Sequence, residues 1–204
     1  MRAMRRVVIF LLFLVAGASQ AQAQAPQPGV ASQFIHQLGE DAIATLRAAN
    51  MPLEQREAKF RALLARGFDM EFIGRFVLGN YWRTATPDQQ SEYLQAFNDY
   101  VLQVYSSRFG GYAGETLTVV GERAAGERDM MVNTRIERPS GPPLDAQWRV
   151  RAMAAGPRII DVMVAGVSMV ATQRDEFAAV VQRQKVPGLI EVLRARTNKL
   201  PAAR

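Results

Sequence analysis

Residues 115–169 read ETLTVVGERAAGERDMMVNTRIERPSGPPLDAQWRVRAMAAGPRIIDVMVAGVSM. Here the apolar spacing changes from a period of three and four to one of two. Leu117 and Val119, then Met131, Asn133 and Arg135, then Trp148, Val150 and Ala152 alternate with polar or small neighbours. That alternation is the mark of half-buried strands. Turn-forming residues separate them at 121–126, 139–143 and 155–157. Connections this short favour an antiparallel meander. The run 159–169 is apolar apart from Asp161 and Ser168, which predicts a fourth strand covered on both faces.

On the N-terminal side the period is helical. Phe34, Ile35, Leu38, Ala42, Ile43 and Leu46 place one amphipathic helix over 32–49. Pro52 opens a second, with Phe60, Leu63 and Leu64 on its buried face and Gly67 at its end. Asp69 caps a short third helix carrying Phe72, Ile73, Phe76, Val77 and Leu78, ended by Gly79. Thr86-Pro87-Asp88-Gln89 combines an N-cap, a proline in the first turn and a capping box. The helix it starts runs to about Phe109 and presents Tyr93, Phe97, Tyr100, Val101, Val104, Tyr105 and Phe109 on one aromatic-rich face. On the C-terminal side Thr172 and Asp175 cap a helix to Lys185, and Pro187 begins a last one through Arg196. The predicted fold is α+β: a twisted antiparallel sheet of four to five strands, clasped by about six helices mainly on one face.

The extreme N-terminus carries Arg2, Arg5 and Arg6, an apolar run over 7–18, and Ala21-Gln22-Ala23. This is the pattern of a cleavable secretory signal over 1–23. The apolar run falls short of the roughly 20 residues a bilayer span requires. Residues 24–31 read as a flexible mature N-terminus, 32–198 as a single domain and 199–204 as a flexible tail. Removing 1–23 takes away three arginines and no acid, so the formal charge falls from +6 to +3. There is no long basic run or zinc spacing to support nucleic-acid binding. With no cysteine there are no disulfides and no thiol chemistry. The core alone must hold the exported domain, and 49% apolar residues suit that.

Catalytic constellations are not visible. The one histidine, His36, lies on an amphipathic helix and reads as a surface residue. No nucleophile elbow, phosphate loop or dinucleotide fingerprint occurs. Glu115, Asp129, Asp145 and Asp161 are the candidate acids. Asp161 stands out in its apolar strand, where a lone acid is normally tied to an arginine or a backbone group. No catalytic residue, metal ligand or cofactor is assigned. The aromatic helix face and the apolar strand either pack on each other or line a cavity, and spacing does not decide between the two.

A resemblance bears on that choice. Phe60-Arg61-x-Leu63-Leu64, Phe68-Asp69 and Ile73-Gly74-Arg75-Phe76-Val77-Leu78-Gly79-Asn80-Tyr81-Trp82-Arg83-x-Ala85-Thr86-Pro87 resemble the MlaC family. So do Asp145-x-x-Trp148-Arg149-Val150, Asp161-Val162, Gly166-Val167-Ser168-Met169 and Thr172-x-Arg174-x-Glu176-Phe177. The resemblance covers about residues 32–198. It departs at Ala165, where the family usually shows Glu, which puts in doubt any charged contact made there. What it implies is a monomeric periplasmic phospholipid carrier, also called a toluene-tolerance or auxiliary transport protein. Its implied partners are an outer-membrane lipoprotein complex and an inner-membrane ABC transporter with an MCE-domain subunit. The implied role is maintenance of outer-membrane lipid asymmetry.

Two acyl chains carry on the order of 30 methylenes at roughly 0.8 kcal/mol each in water, so such cargo needs a dry container. Under this reading the lipid-binding residues are Leu78, Tyr81, Tyr100, Val104, Tyr105, Val119, Trp148, Val150, Val162, Val164, Val167 and Met169. Arg75, Arg83 and Arg108 are candidates for head-group or partner contact. Three alternatives stand beside it. One is a carrier of hopanoid-related lipid, since a branch of the family lies in hopanoid-biosynthesis clusters. Another is an acid–base enzyme using Asp161 on a cone-shaped NTF2-like fold. The third is a protein-binding adaptor with a solid interior.

Overall fold

The computed structural model describes residues 29–48, 50–106 and 114–199, with the side chains of residues 105 and 106 excepted. The predicted signal over 1–23, residues 24–28, Arg108 and the tail after Lys199 lie outside the described residues.

Among the described residues the elements follow one another as α1 (Val30–Arg47), α2 (Leu53–Gly67), α3 (Met70–Leu78), α4 (Pro87–Ser106), β1 (Thr116–Ala124), β2 (Asp129–Glu137), β3 (Leu144–Arg151), β4 (Arg158–Val164), β5 (Val167–Ser168) and α5 (Met169–Lys199). A 3-10 turn (Gly79–Arg83) links α3 to the loop before α4. The expected caps form. Phe72 N donates to Asp69 Oδ1 at 3.0 Å. Gln89 N donates to Thr86 Oγ1 at 3.3 Å and Thr86 N to Gln89 Oε1 at 3.2 Å, closing the capping box.

The sheet is an antiparallel meander in the order β1-β2-β3-β4-β5. Three features differ from expectation. Gly121 sits inside β1 at a bulge beside Val119, and the reversal comes after Ala124; the glycine relieves a strand irregularity and does not make the turn. In β2 the residues facing the helices are Met130, Val132, Thr134 and Ile136. The register sets Ile136 opposite Leu117 and Thr134 opposite Val119, so Met131, Asn133 and Arg135 lie on the other face. The apolar run from 159 is no single strand: it folds back at Ala165 and Gly166, whose φ values are 51° and 78°. Two successive positive-φ residues make the tight hairpin turn that matches strand twist. β5 follows, and α5 starts at once.

The starts of α1 and α5 also differ from expectation. α1 begins at Val30, and Ala31 is fully buried, so these residues belong to the domain and not to a flexible arm. Glu122 fixes them: its carboxylate accepts hydrogen bonds from Gly29 N, from Ser32 N at 2.8 Å and from Ser32 Oγ at 2.6 Å. Partial burial disfavours the charge, but those bonds outweigh it and hold the carboxyl below its ordinary range. α5 starts at Met169, ahead of Thr172, and runs to Lys199. It breaks at Lys185, with φ 62° and ψ −179°, so it is two helices divided where expected, with Pro187 in the first turn of the second.

Two apolar cores result. One joins Ile73, Val77 and Leu78 of α3 to Tyr93 and Phe97 of α4 and to Phe177, Val181, Leu189 and Leu193 of α5. Gly74 permits the close approach, since a Cβ there would stand 2.8 Å from Leu94 Cδ2. The hydroxyl of Tyr93 donates to Gly74 O at 3.0 Å, and burial pushes its pKa well above the ordinary value. The second core packs Ala31 and Ile35 of α1 on Met130, Val132, Val150 and Ile159 of the sheet.

Candidate functional site

The two cores do not meet everywhere. Between them lies a cavity of about 680 Å³, within the roughly 300–1,000 Å³ of small-molecule sites. One side is the stripe of α1 made by Leu38, Ala42, Ile43 and Leu46, with Phe60, Leu63 and Leu64 of α2 beside it. Met70, Ile73 and Val77 of α3 and Phe97, Tyr100, Val101 and Val104 of α4 form the opposite side. The sheet contributes Leu117, Ile136, Trp148, Val162 and Val164, and the first turn of α5 adds Met169 and Val170.

The polar lining is sparse and sits in two places. Glu115 and Thr116 border the cavity at the start of β1; Asp161 and Gln173 border it where β4 passes to α5. Trp148 leaves no loose donor in the wall, because its indole N–H donates to Thr134 Oγ1 at 2.8 Å while that hydroxyl donates to Ala146 O at 3.3 Å. Such a surface offers burial of apolar area and almost no hydrogen bonding, so it suits a ligand with a long hydrocarbon part.

Of the two ties expected for Asp161, an arginine or a backbone group, the structure shows the second, with a serine hydroxyl beside it. Its Oδ2 accepts from Ser168 Oγ at 2.7 Å and its Oδ1 from Val170 N at 3.3 Å. Ser168 Oγ in turn accepts from Ala171 N at 3.0 Å. The pair caps the start of α5, using the orphan amides of its first turn. Arg149, opposite Asp161 in the sheet register, turns to Asp129 instead. Asp129 is 2% exposed and is gripped by Arg149 Nη2 and Arg151 Nε, each at 2.7 Å. Burial opposes its charge, yet the hydrogen bonds from Arg151 and Arg149 prevail and hold it below the usual carboxylate range.

Six of the twelve residues singled out in the sequence line this cavity: Tyr100, Val104, Trp148, Val162, Val164 and Met169. Five do not. Leu78 is buried in the helical core and Tyr81 packs against it. Val150 is fully buried in the α1–sheet core and Val119 packs against the same cluster. Val167 is 53% exposed on β5, the edge strand, where it sits opposite Val164 across the hairpin. The side chain of Tyr105 lies outside the described residues. His36 is exposed, as expected. Arg75 pairs with Glu71 at 2.6 Å and stacks over Trp82, and Arg83 is exposed.

The α1 and α2 walls are not among the residues expected to bind lipid. Their apolar stripes have the spacing of ordinary buried faces; the signal that sets α2 apart is that it is polar on most of its surface, with three apolar residues gathered on one side.

The family description "MlaC protein" matches residues 36–195. The chain belongs to the MlaC family. One relative in that family is the intermembrane phospholipid transport system binding protein MlaC of Haemophilus influenzae, 21% identical over 126 residues that make up 60% of this chain. The match spans 59% of that relative's own length. Among solved structures, the phospholipid-binding protein of Ralstonia solanacearum in complex with a phospholipid superposes with a TM-score of 0.74 at 22% identity. It covers 83% of this chain and 98% of its own. The α+β architecture is thus shared with that protein at low identity.

Proposed function

We propose that this MlaC-family chain is a periplasmic phospholipid carrier, reached by cleavage of the signal over 1–23, that holds acyl chains in the cavity between α1, α2, α4 and the sheet. The observation that carries the reading is a wall of some twenty apolar side chains with polar groups at only two places. Such a space is of no use to a water-soluble metabolite and of great use to hydrocarbon. The phospholipid in the related Ralstonia protein supports the same cargo, and the name of the Haemophilus relative supports a place in intermembrane transport.

In this reading the carrier passes lipid between an outer-membrane lipoprotein complex and an inner-membrane ABC transporter with an MCE-domain subunit, and so maintains outer-membrane lipid asymmetry. Membership of a lipid-carrying family, together with a capping role for Asp161, favours carriage over catalysis. Among the described residues no helix is long and apolar enough to cross a membrane.

Transfer is tested with donor vesicles carrying a self-quenched fluorescent phospholipid and unlabelled acceptors. Micromolar mature protein speeds dequenching in proportion to its concentration. A rate equal to that of spontaneous exchange at every concentration overturns the proposal.

A further inference from the structure

α2 is attached to the rest of the molecule unlike any other helix among the described residues. Neither apolar core includes a residue of Leu53–Gly67, not even as a half-buried neighbour. Its one buried residue is its last, Gly67. Phe60, Leu63 and Leu64 face the cavity, and apart from half-buried Leu53 and buried Gly67 the remainder of the helix is polar or exposed. A helix held by packing would bury such a stripe against another element; here the stripe closes over open space.

Its fastenings include contacts at both ends and along two edges. At the C-terminal end Phe68 pairs with Ile159, and Asp69 N donates to Ile159 O at 2.9 Å, which pins the chain to the free side of β4. The close approach of Gly67 to Leu38, where a Cβ would stand 2.6 Å from Leu38 Cδ2, holds this end against α1. At the other end the turn 48–52 is closed by Met51 N donating to Ala48 O at 2.9 Å. Along the α1 edge, Arg66 reaches Asp41 at 2.5 Å with side chains 57% and 34% exposed. Along the α4 edge, Arg61 Nη2 donates to Gln103 Oε1 at 2.6 Å. The exposed Arg66–Asp41 pair adds little to stability, the half-buried Arg61–Gln103 bond is a single contact between side chains, and a helix with few buried contacts opens locally at low cost.

We infer that α2 is the door of the cavity: it swings on the segment 67–69, breaks the Arg61–Gln103 contact, and admits acyl chains between α2 and α4. This rests on the carrier reading and adds to it the path by which cargo enters. With α2 closed, Phe60, Leu63 and Leu64 seal hydrocarbon from water; with α2 open, they offer an apolar edge to an incoming chain.

The chain has no cysteine, so a pair can be introduced cleanly. Arg61→Cys with Gln103→Cys, joined by a short bismaleimide, bolts α2 to α4; Asp41→Cys with Arg66→Cys bolts it to α1. The probe is a fluorescent phosphatidylglycerol taken up from vesicles. The α4-linked protein is expected to load at least tenfold more slowly than the same double variant before linking, and to retain lipid loaded beforehand. The α1-linked protein, with the proposed gap still free, is expected to load within about threefold of its unlinked form. Equal loading by linked and unlinked α4 pairs overturns the door while leaving the carrier reading intact. No loading by any form, the unmodified protein included, overturns the carrier reading and the door with it. Hydrogen exchange on the unmodified chain gives a second measure: α2 amides are expected to exchange before those of α1 and α4 and to slow on lipid loading. Protection of α2 equal to that of α4 in the empty protein overturns the door.

Discussion

A single carboxylate in the cavity wall tests whether hydrocarbon fills it. Val164 ends β4, faces Ala146 and Val167 on the neighbouring strands, and lines the cavity without belonging to either core. Val164→Asp therefore removes little packing, and in the empty protein the new side chain can be hydrated. Its carboxyl then titrates near the ordinary value of about 3.9. Acyl chains packed around it strip that water and raise its pKa in the loaded form. A rise to about 7 is three units, at roughly 1.4 kcal/mol each, or about 4 kcal/mol.

The sign follows from proton linkage. The loaded form holds the proton more tightly, so affinity is unimpaired below about pH 4 and falls about tenfold per unit up to about pH 7. Loss at pH 7.5 is about a thousandfold; at pH 5 it is about tenfold. Val164→Asn carries no charge and is expected to lose less, by the same factor at both pH values. The assay is phospholipid bound per mole of protein after incubation with vesicles at pH 5 and 7.5, with the melting temperature of each empty variant measured alongside. Wild-type loading by Val164→Asp at pH 7.5, or an aspartate indistinguishable from asparagine at both pH values, would refute a dry interior.

Two further predictions concern the frame around the cavity. Asp129→Asn removes the charge shared by Arg149 and Arg151 and is expected to cost about 2–3 kcal/mol in urea unfolding at pH 7. Because the native carboxyl is depressed, its contribution is present above the unfolded value near 3.9 and is lost as pH falls through the lower native value. The gap between wild type and variant should close on acidification from pH 5 to 2. Tyr93→Phe deletes the hydrogen bond to Gly74 O that ties α4 to α3. About 1 kcal/mol of stability is expected to go, with lipid loading unchanged because Tyr93 packs the helical core away from the cavity.

The helices and the meander were legible because their signals are local. Asp69 and the Thr86–Gln89 box announce helix starts through hydrogen bonds within three residues. Alternation announced the strands. What escaped was set by partners far along the chain. Glu122 caps α1 from a strand some 90 residues away, so nothing near Val30 marks the start. Ala165 adopts a left-handed conformation usually left to glycine or asparagine, which hid the β4–β5 turn inside an apolar run.

The cavity was half legible for a similar reason. Leu78, Tyr81 and Val150 carry the same apolar spacing as Tyr100, Trp148 and Val162. Whether a stripe meets another stripe or open space depends on how the helices cross, and spacing does not encode that.

The central claim is that hydrocarbon occupies the space between the two cores. Native mass spectrometry of the mature protein, purified from an envelope extract without added detergent or lipid, tests it most directly. The account predicts a mass above that of the polypeptide by one phospholipid, identified by fragmentation and regained when delipidated protein is mixed with vesicles. A bare polypeptide mass both before and after that mixing would contradict it.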